Sequence, residues 1–489
     1  MHILKKLIFA VVVICLWIPP DILSVSASVP YHGYNYSYWE QAVPAAIPYQ
    51  PNQIIDGRDT EYGLLRAPED IFVTDNGFIY ILDSGNDRIV ILNEHFEFIR
   101  EIDQFANAGV TDTFSQPQGI FVTENNHIFV ADTNNQRIVE LTADAEFIRE
   151  ITRPDADVIR AGFEFYPTKV AVDKAGRIYA IGRGVFDGLI EFDSDGVFTG
   201  FTGANRVTFN PIDYLWRVIA TREQRSRMAL FIPIEFNNLA LDQSGFIYTT
   251  NSELNSNTPI QRLNPTGEDV IRREGYHPLV GDLEFAHIGD QSGGSFFVDI
   301  TVNDYGMYSA LDGKRGRIFS YDEDGNLLYI FGGIGNQEGT FRTPVAIDYL
   351  ADKLLVLDKG YSRLTVFDPT QFGYLVNQAV MHYNLGDDDL SAQYWQDVLR
   401  LNANYEIAYI GIGKALLMEG ENKAAMTYFD NGHNRFYYSK AYKRYRQEVL
   451  REHFGLMMGL VLLVPASYFG FKIVKRRRKK VKQIAKRAV

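Results

Sequence analysis

Four polar side chains occupy matching places along a chain of 489 residues: Asp70, Lys169, Asn238 and Asp299. Each stands at the start of a short run in which apolar residues alternate with others, and two further runs carry Gly119 and Ala346 at that place. Two carboxylates, an ammonium and a carboxamide are costly to bring together unless water, a polar ligand or one another satisfies them. Together they suit a small polar ligand of neutral or mixed charge, and the two carboxylates disfavour a phosphate. Pairing of Lys169 with Asp70 or Asp299 is the purely structural alternative, since buried charges usually pair. No other constellation competes. The nine histidines are scattered, and none falls in an HExxH or other metal-ligand spacing. Neither a G-x-S-x-G nucleophile turn nor a Walker loop occurs. Asp387, Asp388 and Asp389 lack the spacing of an EF-hand loop. The single cysteine, Cys15, lies in an apolar run near the N-terminus, so neither a disulfide framework nor thiolate chemistry is expected beyond it. These residues predict no catalytic group, no metal site and no cofactor.

What positions the four side chains is a repeat. EFIREI at 97–102 returns at 146–151, an offset of 49 residues, and residues 67–92 align without a gap on 116–141. Short β-rich runs at such a period build a radial array rather than one conventional core. The unit reads Pro, an alternating strand, a Gly or Asn turn, a second strand ending in Asp, then Asn-x-Arg-Ile. It resembles the NHL repeat of six-bladed β-propellers, over roughly residues 52–371. The resemblance implies an all-β propeller whose inner strands start at Pro68, Pro117, Pro167, Asn237, Val298 and Pro344. In that fold Asp70, Lys169, Asn238 and Asp299 ring the mouth of the central channel. Related propellers include calcium-dependent lactonases, with Glu, Asn and Asp around the channel, and a zinc lyase that uses channel histidines. Here no histidine aligns, and Lys169 would repel a calcium ion.

Four second strands end in Asp with an Arg five residues on: Asp83 and Arg88, Asp132 and Arg137, Asp312 and Arg317, Asp358 and Arg363. Their regularity reads as scaffold, each pair bridging a turn with charge-assisted bonds. A strand near 53–56 is placed to complete the sixth blade, which removes open sheet edges. Extra chain gathers on the face of those turns. It comprises an insertion at 204–233 with a helix expected around 213–231, a long loop at 276–295 and a lengthened turn after Asn251. Such material on a rigid scaffold suggests binding loops, with the insertion covering the channel mouth.

The ends carry their own signals. Residues 1–27 read as a signal peptide, with Lys5 and Lys6 before an apolar run and a small-residue stretch. In the next segment, 28–51, VPYHGYNYSYWEQ is rich in tyrosine and is expected to pack on the protein's own surface. From residue 372 the period becomes helical, and 386–403 aligns on 420–432 at an offset of 34. This resembles tetratricopeptide repeats over 372–452, whose small and aromatic packing sites match Ser391, Trp395, Ala425 and Phe429. Residues 453–474 read as a transmembrane helix and 475–489 as a basic cytoplasmic tail. The net charge is −13, and discounting the positive ends leaves about −24 on residues 28–471. So acidic a body argues against nucleic acid as a partner.

The sequence thus predicts a single-pass type I protein of a bacterial cell membrane, extracytoplasmic except for its tail. Its propeller would recognise a small polar ligand or a protein partner, and its helical repeats would dock another membrane component. Chains of this domain order resemble envelope proteins that accompany transport systems. The alternative is a lactonase-like or lyase-type enzyme with its site in the channel. Topology is directly testable: protease added to wall-stripped cells should digest residues 30–450 and spare an epitope on the tail. A protected propeller would overturn the orientation.

Overall fold

The structure is a computed structural model. It describes residues 29–487 except 155, 157–161, 204–234, 252–255 and 284–292, with side chains to residue 480. The signal segment, the 204–233 insertion and part of each of the two other long connections lie outside the described residues.

Six antiparallel blades surround one axis. Five of their second strands are buried along their whole length, Ile79–Asp83, Ile128–Asp132, Ile178–Gly182, Ile247–Asn251 and Tyr308–Asp312, and the sixth, Lys353–Asp358, is buried from its second residue on. Each is sandwiched between its neighbours, so both faces need apolar side chains. Alternation then distributes the core. Leu82 and Ile89 of blade one pack with Ile120 and Val130 of blade two, and Phe129 and Ile138 of blade two pack with Val170 and Ala180 of blade three. Among the described residues, blade four has three strands, Phe236–Leu241, Ile247–Asn251 and Ile260–Leu263.

Closure occurs where the sequence placed it. Tyr49–Ile55 pairs antiparallel with Arg363–Pro369, in register from Leu364 against Ile55 to Pro369 against Tyr49. The tyrosine-rich segment packs on the protein itself: Tyr34–Tyr36 adds to the outer strand of blade five, with Tyr34 opposite Ile330.

The Asp/Arg pairs need correction. Asp83 binds Arg88 at 2.9 Å and Asp132 binds Arg137 at 3.0 Å. Arg317 instead binds Asp282, and Arg363 donates to the Thr340 carbonyl. What all four aspartates share is a different bond. Each accepts the backbone N–H of the loop entering its blade: Arg66 onto Asp83, Ser115 onto Asp132, Phe296 onto Asp312 and Arg342 onto Asp358. The aspartate therefore fixes the loop, and the arginine is free to seek whichever carboxylate or carbonyl lies nearest.

Helix α1 (Gln371–Asn384) begins where the closing strand ends, its first turn capped by the Thr370 hydroxyl, which accepts from Gly373 N at 3.3 Å. It shares one core with the propeller, in which Phe372, Val376 and Ala379 pack among Tyr49, Phe331 and Phe367. Helices α2 (Asp388–Leu401), α3 (Glu406–Glu419) and α4 (Asn422–Asn431) follow as tight antiparallel neighbours. Glycines allow that closeness: a Cβ on Gly411 would lie 2.2 Å from Trp395 Nε1, and one on Gly413 2.7 Å from Phe429. Lys414 of α3 locks the helices onto blade five, its Nζ 2.6 Å from Asp324, which also takes Arg272 at 2.8 Å. Helix α5 (Arg435–Arg487) stacks Tyr437 on Phe429 and then leaves the body. The expected third helix and the expected span are thus one continuous helix. It is the one helix among the described residues that is long and apolar enough to cross a membrane.

Arg137 holds Asp132, Asp112 at 2.7 Å and Glu150 at 3.0 Å from a site that leaves its side chain 10 % exposed. Arg137→Ala should lower stability by roughly 1–3 kcal/mol, read from chemical or thermal unfolding. An unchanged midpoint would mean that solvent already screens the cluster.

Candidate functional site in the propeller channel

The axis encloses a cavity of about 760 Å³. Its wall runs from the first residues of the inner strands to the hairpin turns that follow them, such as Asp75-Asn76 and Glu124-Asn125. Asp70, Lys169, Asn238 and Asp299 all line it. The structure therefore brings the four predicted residues together, as a buried floor at one end of the described lining. From them the cavity leads away from the face of the Asp/Arg turns and opens among the hairpin turns on the other side. The insertion at 204–233, expected as a cover over the channel mouth, lies outside the described residues.

The floor is a closed network. Lys169 Nζ reaches Asp70 Oδ1 at 2.6 Å, and Asn238 donates to Asp299. Both carboxylates also join neighbouring blades: Asp70 Oδ2 accepts Ile120 N at 2.9 Å, and Asp299 Oδ2 accepts Ile347 N at 2.5 Å. Asp348 acts likewise between blades six and one, accepting Val73 N at 2.7 Å, and takes the Thr301 hydroxyl at 2.8 Å. Gly119 serves the same ring by omission, since a Cβ there would sit 2.7 Å from Lys169 Cα. A side chain at that place would push blade three outward.

Electrostatics follow from burial. Desolvation raises Asp70, with Lys169 pulling the other way, and raises Asp299 well above the ordinary carboxylate range. Burial also pushes Asp348 up to about 6. Burial opposes the Lys169 charge, but Asp70 and Asp299 outweigh it and keep the ammonium charged. One cation thus serves two buried carboxylates, Asp70 and Asp299.

Sequence reasoning missed two features. Asp348 lies two residues past Ala346 on the same strand face, so period-two counting from the repeat position would have found it. At the opening, His127 Nδ1 meets Glu140 at 2.8 Å, and Arg149 Nε holds the other Glu140 oxygen at 2.5 Å. The signal for this trio was the cross-strand register that sets Glu140 opposite Arg149. Among the described residues, no group of three or more metal-ligating side chains is present.

Comparison with known proteins supports the repeat and little more. The family model for the NHL repeat matches residues 114–141. No curated protein matches the sequence. Among solved structures, virginiamycin B lyase from Staphylococcus aureus is 12% identical, covering 65% of this chain and 98% of its own, with a TM-score of 0.39. A protein of unknown function from Bacteroides thetaiotaomicron is 14% identical, covering 69% of this chain and 76% of its own, with a TM-score of 0.41. At such identities and scores these likenesses carry nothing about chemistry.

Lys169→Met should expose the cost of the shared cation. At pH 7.5 it leaves Asp70 and Asp299 buried without a counter-ion, a loss of roughly 3 kcal/mol. Their folded-state pKa values then rise further above the unfolded value, so the folded protein takes up protons as pH falls and regains stability. The deficit should shrink between pH 7.5 and 5 in denaturant melts. An equal deficit at both would mean that water already solvates the pair.

Proposed function

We propose that this chain is a membrane-anchored extracytoplasmic binding protein whose propeller takes a small polar ligand into the channel cavity. The supporting observation is the cavity's lining: hydrogen-bonded, buried side chains at one end, exposed hairpin turns at the other, and polar groups from all six blades. Concave, largely preformed sites with a few converging polar groups are where small molecules bind. Asp70, Asp299 and Asp348 against Lys169 favour a ligand that is cationic or of mixed charge. Helix α5 is the membrane anchor of this reading, with the basic run after residue 471 on the cytoplasmic side. The paired helices with glycines under Trp395 and Phe429 support the tetratricopeptide-like assignment and a docking role towards another membrane component, as in an accessory of a transport system.

One observation favours the second reading, a hydrolase or lyase. The buried Glu140 carboxylate orients the His127 imidazole beside the cavity, and a carboxylate-oriented imidazole is an arrangement suited to a general base.

A ligand screen by thermal shift on the detergent-solubilised protein tests the binding reading. A true ligand at a hundred times its Kd should stabilise the wild type by about 2.7 kcal/mol. It should do little for the Lys169→Ala, Asn238→Ala double variant. A compound that stabilises both equally would place the site outside the channel.

A further inference from the structure

The N-terminal strap joins three parts of the molecule. Its Asn35 side chain donates to the Leu328 carbonyl at 3.0 Å, and the Tyr34 and Tyr36 hydroxyls donate to Asp282 Oδ1 at 2.5 and 3.0 Å. Tyr276 closes over it by donating to the Tyr36 carbonyl at 2.9 Å. At its far end Tyr38 N donates to Glu406 of α3 at 3.0 Å, and the Tyr38 ring stacks on His433, which lies 3.5 Å from Glu406. The strap is a clasp between blade five and the helices.

Beneath it lies His277, 3 % exposed, its ring stacked on Tyr36 with centroids 4.8 Å apart. Among the described residues neither ring nitrogen has a hydrogen-bond partner of good geometry, and the Pro278 and Gly281 backbone lies nearest. The groups that face this pocket are few. Asp282 is the nearest carboxylate, and its charge is already met by Arg317 and by Arg315 Nε at 3.7 Å. Tyr308 and Tyr321 pack in the same cluster as Tyr36, and among the described residues the Tyr308 hydroxyl has no partner while the Tyr321 hydroxyl has only the Gly281 backbone near it. An imidazolium here would be favoured only by the Pro278 and Gly281 backbone and by an aspartate that two arginines already hold, and burial outweighs all three. We propose that His277 is a proton-sensitive latch: its protonation expels it from under Tyr36 and releases the strap from blade five.

The direction follows from linkage. Burial, opposed by Asp282, lowers the His277 pKa to about 4. A released strap lets the imidazole return to its ordinary value near 6.5. The clasp is therefore fully stable above that value and weakens as pH falls towards the folded value. Strap opening should rise roughly tenfold per pH unit across that window.

Hydrogen exchange of the full chain in detergent, read at residues 31–40 against residues 128–141 of blade two, measures this. After correction for intrinsic exchange rates, the strap should lose roughly 50-fold protection between pH 7.5 and 4.5 while blade two holds. His277→Phe, which keeps a ring under Tyr36, should abolish the loss. Unchanged strap protection in the wild type, or the same loss in the variant, would overturn the proposal. Should the variant fail to seat its strap, NMR titration of histidine-labelled wild type decides: a depressed His277 pKa supports the latch, and a value near 6.5 refutes it.

Discussion

A ring of blades has no stable intermediate size, so everything else depends on the seam where it closes. That seam is Tyr49–Ile55 against Arg363–Pro369, the first and last strands of the domain in one sheet. It joins residues more than 300 positions apart. Pairing across such a separation carries a loop-closure cost that local contacts do not repay. It is offset by what gathers around it. Tyr49 is fully buried between Tyr329 and Phe331, and α1 lays Phe372 and Val376 on the same cluster. The helices are therefore part of the closure and not an appendage, which explains why the chain turns helical immediately after the last strand.

Around the axis, the inner strands face a second constraint. Strands from different blades converge there, and their first amides cannot all find partners within their own sheets. Aspartates supply the missing acceptors: Asp70, Asp299 and Asp348 each take a backbone N–H from the next blade. The same carboxylates that close the ring give the cavity its negative wall. On the proposed binding reading, structure and binding chemistry share atoms here, so a ligand that neutralises the wall would also tighten the blades.

Much of this was legible in the residues. The 49-residue repeat gave blade count, strand order and the four floor positions, because a repeat maps sequence register directly onto radial position. Charge offered pairing of Lys169 with Asp70 or Asp299 as one of two readings, and the structure selects Asp70. Two things did not follow. Register says which residues converge but not which way the cavity opens, since that depends on how far side chains at Gly119 and Lys169 let the strands approach. The partners of Arg317 and Arg363 escaped as well: a long guanidinium chooses among carboxylates brought near by other segments, and Asp282 reaches Arg317 from a loop 35 residues away. At the C-terminal end, composition separated a packed helix from a span, yet no residue breaks α5 between them.

The central claim is that a polar ligand enters the channel from the hairpin-turn face and rests on the Lys169 floor. Blade two offers exposed positions on both faces, Asn125 at the opening and Asn134 on the far side. Either can carry a lone reactive thiol once Cys15, the only native cysteine, is replaced by serine. The decisive measurement is the association rate of a channel ligand after a bulky polyethylene glycol is attached at Asn125→Cys or at Asn134→Cys. The account predicts slowed association for the first and an unchanged rate for the second. Slowing only by the group at Asn134→Cys would contradict it and put the entrance on the side of the Asp/Arg turns.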